Sequence, residues 1–417
     1  EEDDDDRYVI QKTTTATLDF AAVTAQAARI LRKWEDHLPG LADSCLEASQ
    51  NAWEWAQANR NILYDQEAHN DTYDPDIETG AYGDRNADDE FAWAGVELYL
   101  ATRQDSYFTA VYPAGLDEEY GIPGWPNVAT LGLYSLYLAR DSLTQVIDLE
   151  DVTSALLNLA DDLTARYEAN PYRITMTSDD YYWGSNSVAA NQGMALIFAF
   201  LASPDTPLYK DVAVAQLDYL LGRNPTGYCY VTGFGEHSPL YPHHRPSASD
   251  RVDEPVPGFL VGGPNPGQQD NQPPHHEVYY ASSLPAKSYA DEEPSYASNE
   301  VTINWNAPLV FLSGALEALQ GVELSTAPKR QSLRNVFTPA ITMTTRTISL
   351  NLPQGWSGQA VFTNLNGKVL NKVAIADQKT VKVDAQWSNQ ITLLRIDAEN
   401  THGQKRTYTQ KLVQLQQ

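Results

Sequence analysis

Phe20, Val23, Ala27, Ile30, Leu31 and Trp34 fall on one face of a 3.6-residue period, which predicts a helix from Thr15 to Trp34. The same period returns over Ala42 to Ala58, Asp89 to Thr102, Asn127 to Arg140, Leu149 to Tyr167, Ser185 to Leu201, Tyr209 to Leu221 and Ala307 to Gln320. About eight helices are expected, with no convincing strand between them. Gly222 to Asn306 breaks the pattern, being dense in Pro, Gly, His, Tyr and Asp. A stretch that long without a period of its own, inside a compact domain, is usually functional, and the chemistry is sought there. From Ser325 to Asn335 the chain turns polar and basic, and beyond it the period drops to two. Strands are predicted at Thr345–Leu350, Gln359–Thr363, Lys368–Leu370, Thr380–Val383, Ile391–Arg395 and Tyr408–Val413, with Asn366-Gly367 as a turn. The expected organisation is a mainly helical domain over 1–325, a linker over 326–335 and a small β-sandwich over 336–417.

Charge sharpens that division. The net charge is −27, yet Gln331 to Gln417 holds 10 Lys and Arg against 4 Asp and Glu, a local +6 that leaves −33 on the rest. An acidic body repels nucleic acid and anionic membrane and accommodates a neutral substrate more easily. Nine Trp and 24 Tyr stand beside only 3 Met and 10 Phe. Such amphipathic rings stack on sugars while hydrogen-bonding at their rims, or simply pack a core. Cys45 and Cys229 are too few for a disulfide framework and match no metal-ligand spacing, so two buried thiols are expected. No apolar run approaches the roughly 18 residues needed to span a membrane, and no signal peptide is recognisable. The chain opens without Met on the acidic run Glu1 to Asp6, which reads as a processed product or a fragment.

Three segments carry candidate chemistry. In Tyr289 to Ala307, carboxylates sit among aromatic rings just before an apolar helix. Glu300 lies there with few compensating cations, and a carboxyl beside rings such as Trp305 would be desolvated toward the pKa of a general acid. The alternative is a carboxylate capping the helix. In Tyr230 to Ser247, His243, His244 and Arg245 offer donors to sugar hydroxyls and positive charge beside a carboxylate. No second His or Cys pair at metal-site spacing accompanies them. In Thr79 to Glu90, oxygen ligands crowd before a helix: Gly80, Asp84, Asp88, Asp89 and Glu90 suit Ca²⁺ better than a transition metal, or else form an ordinary helix start with Asp88 as cap.

The Glu300 segment resembles the acid-bearing signature of glycoside hydrolase family 9, the endoglucanases and related cellulases, over 19 positions: aromatic, x, Asp, four residues, aromatic, three residues, Glu, then Asn-Ala after a short spacer. The histidine segment is similar to the family's other signature through Gly235 and Pro242-His243-x-Arg245, departing from it at Cys229 and His237. Leu221 to Pro225, Tyr182 to Asn186 and Thr79 to Asp84 extend the resemblance over nearly all of residues 7–321. It implies an (α/α)6 barrel, an open cleft for β-1,4-glucan, inversion at the anomeric carbon, and a secreted or cell-surface bacterial enzyme. Carried over by position, Glu300 is the general acid, His243 and Arg245 bind the sugar, and Asp291 assists at the cleft. Trp183, Trp125 and Trp305 would line subsites with His244 nearby, although Trp125 and Trp305 could equally be core. Relatives hold calcium in the loop comparable to Gly80 to Glu90.

One part of the resemblance is missing. An inverting glycosidase needs a second carboxylate, about 6.5–9.5 Å from the acid, to activate water. In this family it comes from an Asp-Ala-Gly-Asp motif, which does not occur in the sequence. With about eight helices where twelve are needed, the expectation is that an upstream segment of the same precursor supplies the base and stays bound as a separate chain covering apolar surface. The competing expectations are a noncatalytic glucan-binding fragment, or the same enzyme class acting on mixed-linkage glucan, xyloglucan or a short β-glucoside. The basic β-domain resembles domains that sort or attach secreted glycanases. A carbohydrate-binding module is the alternative, with Trp356 and Trp387 as its platform.

Overall fold

A computed structural model describes residues 8–116, 119–272, 278–323, 339–343, 347–352, 354–364, 368–376, 378–382, 392–401 and 405–412. The acidic start, the 326–335 linker, Thr345, Arg346, the Asn366-Gly367 turn, Val383, Trp387, Ile391, Val413 and Gln414 lie outside them. The chain forms two compact units, Glu1–Ser325 and Thr326–Gln417.

The first unit is helical: α1 (Thr14–Leu31), α2 (Leu41–Ala58), α3 (Gln66–Asn70), α4 (Asp88–Thr102), α5 (Asp105–Val111), α6 (Ala129–Leu138), α7 (Leu149–Ala169), α8 (Ser185–Ala202), α9 (Pro207–Leu220), α10 (Arg245–Ser249), α11 (Tyr296–Asn299) and α12 (Ile303–Glu323). Thr13 caps α1 by accepting from the Ala16 amide, satisfying one of the orphan donors of a helix start. The face that α1 buries is not the expected one. Leu18, Ala21, Ala22, Ala25 and Ala28 pack against α2 and α4, while Phe20, Val23, Ile30 and Trp34 are each more than half exposed. Both stripes run at helical spacing. The alanine stripe wins because small side chains admit the close approach that brings Ala52, Ala56 and Ala94 against it.

α8 is buried nearly all round, as an apolar helix without a polar face must be. Its Phe198 is stacked between Tyr134 of α6 at 4.0 Å and Phe311 of α12 at 5.4 Å, pairs contributing about 0.5–1.5 kcal/mol each beyond area burial. Gly193 is the contact point with α12: a Cβ there would lie 2.6 Å from Leu312 Cδ2. Of the two cysteines, Cys229 is buried but Cys45 is only half-buried on α2, correcting the expectation of two core thiols.

The second unit is antiparallel throughout its described pairs. β1 (Ala340–Met343), β2 (Thr347–Asn351) and β5 (Gln378–Lys382) form one sheet in the order β1-β2-β5. β3 (Trp356–Asn364), β4 (Val369–Ala376), β6 (Thr392–Asn400) and β7 (Lys405–Leu412) form the other in the order β4-β3-β6-β7. Alternate residues Ala360 and Phe362 of β3, and Leu394, Ile396 and Ala398 of β6, join Ile348 and Leu350 of β2 in one core.

Candidate active site

Glu300 sits in extended backbone (φ −68°, ψ 155°) between α11 and α12, not within a helical turn. Neighbouring loops hold that stretch residue by residue. The His243 amide donates to the Asn299 carbonyl (2.9 Å), Gly262 to that of Glu300 (2.9 Å), and Gly263 to that of Ser298 (2.8 Å). His243 and Glu300 thereby lie side by side in a parallel bridge. Gly263 (φ +92°) permits the approach: a Cβ on it would be 2.3 Å from the Asn186 side chain, whose Nδ2 holds the Val261 carbonyl (2.9 Å).

The Glu300 side chain receives one hydrogen bond, from Trp183 Nε1 to Oε2 at 3.1 Å. Burial raises its pKa, opposed by the Trp183 bond and by the charge of His243. A half-buried carboxyl held above its usual range is a competent proton donor. Trp183 reaches it because Gly184 (φ +89°) turns the chain into α8, and its ring leans on Tyr296 with centroids 5.3 Å apart. His243 Nδ1 lies 2.8 Å from the Glu293 carbonyl, which only accepts, so Nδ1 carries a proton and donates it there, while Nε2 is left for a ligand in either charge state of the ring.

Glycosyl hydrolase family 9 matches residues 1–313. The chain belongs to that family. It is 43% identical over 318 residues to a xyloglucan-specific endo-beta-1,4-glucanase of Bacteroides ovatus, which covers 75% of this chain and 53% of that protein. The solved structure of a Bacteroides ovatus family 9 protein superposes with a TM-score of 0.68 at 40% identity, covering 75% of this chain and 55% of the other. A thermostable endoglucanase from Alicyclobacillus acidocaldarius follows at 0.62 and 33%, covering 74% and 56%. The chain spans about half the length of the curated relatives it matches. Its helical unit matches part of the (α/α)6 barrel of the family 9 structures, and it carries a small antiparallel β domain as well.

The other candidate residues stand in the following surroundings. Asp291 accepts from the Leu240 amide (2.8 Å) at Oδ2 and from Tyr241 (3.0 Å) and Asn299 Nδ2 (3.1 Å) at Oδ1, so it fastens the histidine loop to the residue before Glu300. Asn299, which sequence reasoning passed over, completes the clamp by donating to the Tyr241 carbonyl (2.7 Å) and accepting from Tyr289 (2.6 Å). His244 Nδ1 meets Ser247 Oγ at 2.9 Å, and its ring stands edge-on to Phe259. Arg245 begins α10 and is exposed. Trp305 is core, only 8% exposed, with Gly184 and Gly262 making room for its indole. Trp125 is half exposed and meets Tyr82 edge-on.

Trp125 and Tyr82 border a cavity of about 1040 Å³ also lined by Asp19, Asp84 and Glu90. Asp19 Oδ1, Asp84 Oδ2 and Glu90 Oε2 are buried without a hydrogen-bond partner. Burial and the charges of Asp89 and Asp84 push Asp19 up to about 6. Burial, Asp89, Asp19 and Asp84 push Glu90 up to about 9. Hard oxygens lacking donors fit calcium chemically, yet among the described residues no group of three or more His, Cys, Asp or Glu is already drawn to metal-binding separations. Asp88 does not cap α4: it is the first helical residue, exposed, and its amide donates to Asn86 Oδ1 (3.1 Å). Asp89 Oδ2 is engaged by the Val128 amide (2.8 Å). Asp19 was invisible to sequence reasoning because it arrives from α1, far along the chain from the loop.

Proposed function

We propose that the chain acts in hydrolysis of β-1,4-glucosidic bonds by an inverting, endo-acting enzyme, secreted or at the cell surface, in which Glu300 protonates the leaving oxygen. The observation that carries this reading is a half-buried carboxyl with a raised pKa, held by one indole N–H beside an imidazole. Trp183 and Tyr296 would form the aromatic shelf for the adjoining sugar, and His243 Nε2 would meet a sugar hydroxyl. No carboxylate of these 417 residues is assigned as the water-activating base. Likeness to the Bacteroides ovatus enzyme favours xyloglucan over plain cellulose as the preferred glucan. Calcium belongs to the same proposal: Asp84, Asp89 and Glu90, with Asp19, would hold it, and it would supply fixed charge that pins α1 and α4 to the 79–90 loop.

The test is Glu300→Gln in the full-length protein, assayed for reducing-sugar release from xyloglucan and carboxymethyl-cellulose. Turnover should fall by about 10²-fold or more with folding intact, and less on aryl glycosides whose leaving groups need little protonation. Near-normal turnover on both polysaccharides would remove Glu300 from the reaction.

A further inference from the structure

Asp270 is 1% exposed and lies in the long segment between the glycines that pack against Glu300 and the acid-bearing turn. Its Oδ2 collects three donors: Tyr280 Oη at 2.9 Å, Ser295 Oγ at 3.0 Å and the Ala297 amide at 3.0 Å. Its Oδ1 is buried without a hydrogen-bond partner, so the three bonds to Oδ2 are what offset the cost of burying the carboxylate, and they join Asp270 to two other stretches of chain.

The stretch they fix leads to the proposed acid. Ala297, Ser298 and Asn299 belong to α11, and Glu300 follows at once. Ser298, Asn299 and Glu300 are held through their carbonyls by the amides of Gly263, His243 and Gly262. The Ala297 backbone amide is held instead by a charged side chain, the Asp270 carboxylate. The opposite side of the same residue is held from the same loop, where Asn265 Nδ2 donates to the Ala297 carbonyl at 2.9 Å and to Gln269 Oε1 at 2.7 Å. The network closes through Ser298 Oγ, which lies 2.9 Å from Ser295 Oγ and 3.2 Å from Tyr280 Oη, and takes the Ala290 amide at 3.2 Å, next to Asp291. Burial pushes the Tyr280 phenol well up, so it remains a donor.

We infer that Asp270 is a positioning residue for the glycosidic proton transfer, fixing the direction of Glu300 through the Ala297 amide while touching neither substrate nor the acid. The inference rests on Glu300 being the general acid. Charge-assisted bonds are roughly twice as strong as neutral ones, and an acid misplaced by about 1 Å costs on the order of 10²-fold in rate. Loss of the charge should therefore mis-aim the proton without emptying the sugar subsites.

The experiment uses the full-length protein with Asp270→Asn, Asp270→Ala and the milder Ser295→Ala, beside Glu300→Gln. Asp270→Ala should lower kcat on xyloglucan at least tenfold, with KM within about twofold. Activity on an aryl glycoside with a good leaving group should fall less than threefold. Asp270→Asn, which keeps one acceptor oxygen, should recover part of the loss, and Ser295→Ala should fall between it and the wild type. The indole N–H resonance of Trp183, assigned by its absence from Trp183→Phe, should follow Glu300 ionisation with a pH midpoint displaced in the Asp270 variants. Parallel losses on both substrates, matching only a reduced folded fraction, would make Asp270 a plain structural strut and overturn the inference. If Asp270→Ala fails to fold, Ser295→Ala decides by the same split. Unchanged kcat in folded variants, with Glu300→Gln inactive, overturns the positioning role alone. An active Glu300→Gln removes the acid assignment and the inference with it.

Discussion

A general acid works best when its pKa lies near the operating pH, and at Glu300 burial raises the value while the Trp183 indole and the His243 charge lower it. With Glu300 as the proposed acid, the protonated form is the reactive one, so activity should fall as pH rises through the Glu300 pKa, and burial should move that fall above where an exposed glutamate would place it. Trp183→Phe removes a bond that favours the charged form. The alkaline limb of kcat/KM should consequently move to higher pH, even as the overall level drops with the lost shelf beside Tyr296. pH–rate profiles of the two proteins check this, and a limb that stays fixed or moves down would mean the indole does not set the acid. Glu300, His243 and Trp183 come from three separate segments, the first marked in the sequence by aromatic and acidic clustering, the second by its histidines and arginine and the third by the family resemblance, and the structure gathers them. Trp305 carries the same clustering signal yet is core, because composition cannot tell which side of a ring faces Gly184 and which faces solvent. Asp270 and Asp19 carry no local signal at all; their neighbours are made by folding.

Among elements, the long helices were legible because three or more turns average out individual exceptions in the 3.6-residue period. α3, α5, α10 and α11, at four to seven residues each, are too short for that average and were passed over. On α1 the period was legible but the buried stripe was not, since alanines and large apolar residues alternate around it and only the neighbouring helix decides. The α8–α12 contact offers a paired test of close packing. Gly193→Val should cost about 1–3 kcal/mol by overpacking against the fully buried Leu312. Gly314→Ala on exposed α12 surface, where an added Cβ meets nothing within 4 Å, should stabilise by roughly 0.5–1 kcal/mol. Denaturant melts of both variants check the pair, and equal effects would show that helix propensity, not the interhelical approach, governs this contact.

At the scale of the whole molecule, the mainly helical class followed from periodicity and the barrel architecture from resemblance, but the way the 79–90 loop is tied to α1 could not. Asp19 brings a carboxylate from α1 to Asp84, Asp89 and Glu90, and like charges gathered out of water oppose folding until a cation or a proton joins them. If calcium is that cation, it binds the folded protein and not the unfolded chain, stabilising by mass action about 2.7 kcal/mol at a hundredfold excess over Kd. For a unit of this size, chelator should then lower Tm by at least about 3 °C. Calcium should restore it and magnesium should not, because Mg²⁺ demands tighter octahedral geometry and gives up its water reluctantly. Asp19→Asn separates the two outcomes further. With calcium as the resident cation the variant should melt lower in calcium and respond less to chelator. With the carboxylates merely repelling one another, removing one charge should raise Tm in chelator, and calcium should change neither protein. Differential scanning calorimetry of the two proteins with chelator, calcium and magnesium reads all of these, and melting curves that superpose under every condition would remove the metal from this loop.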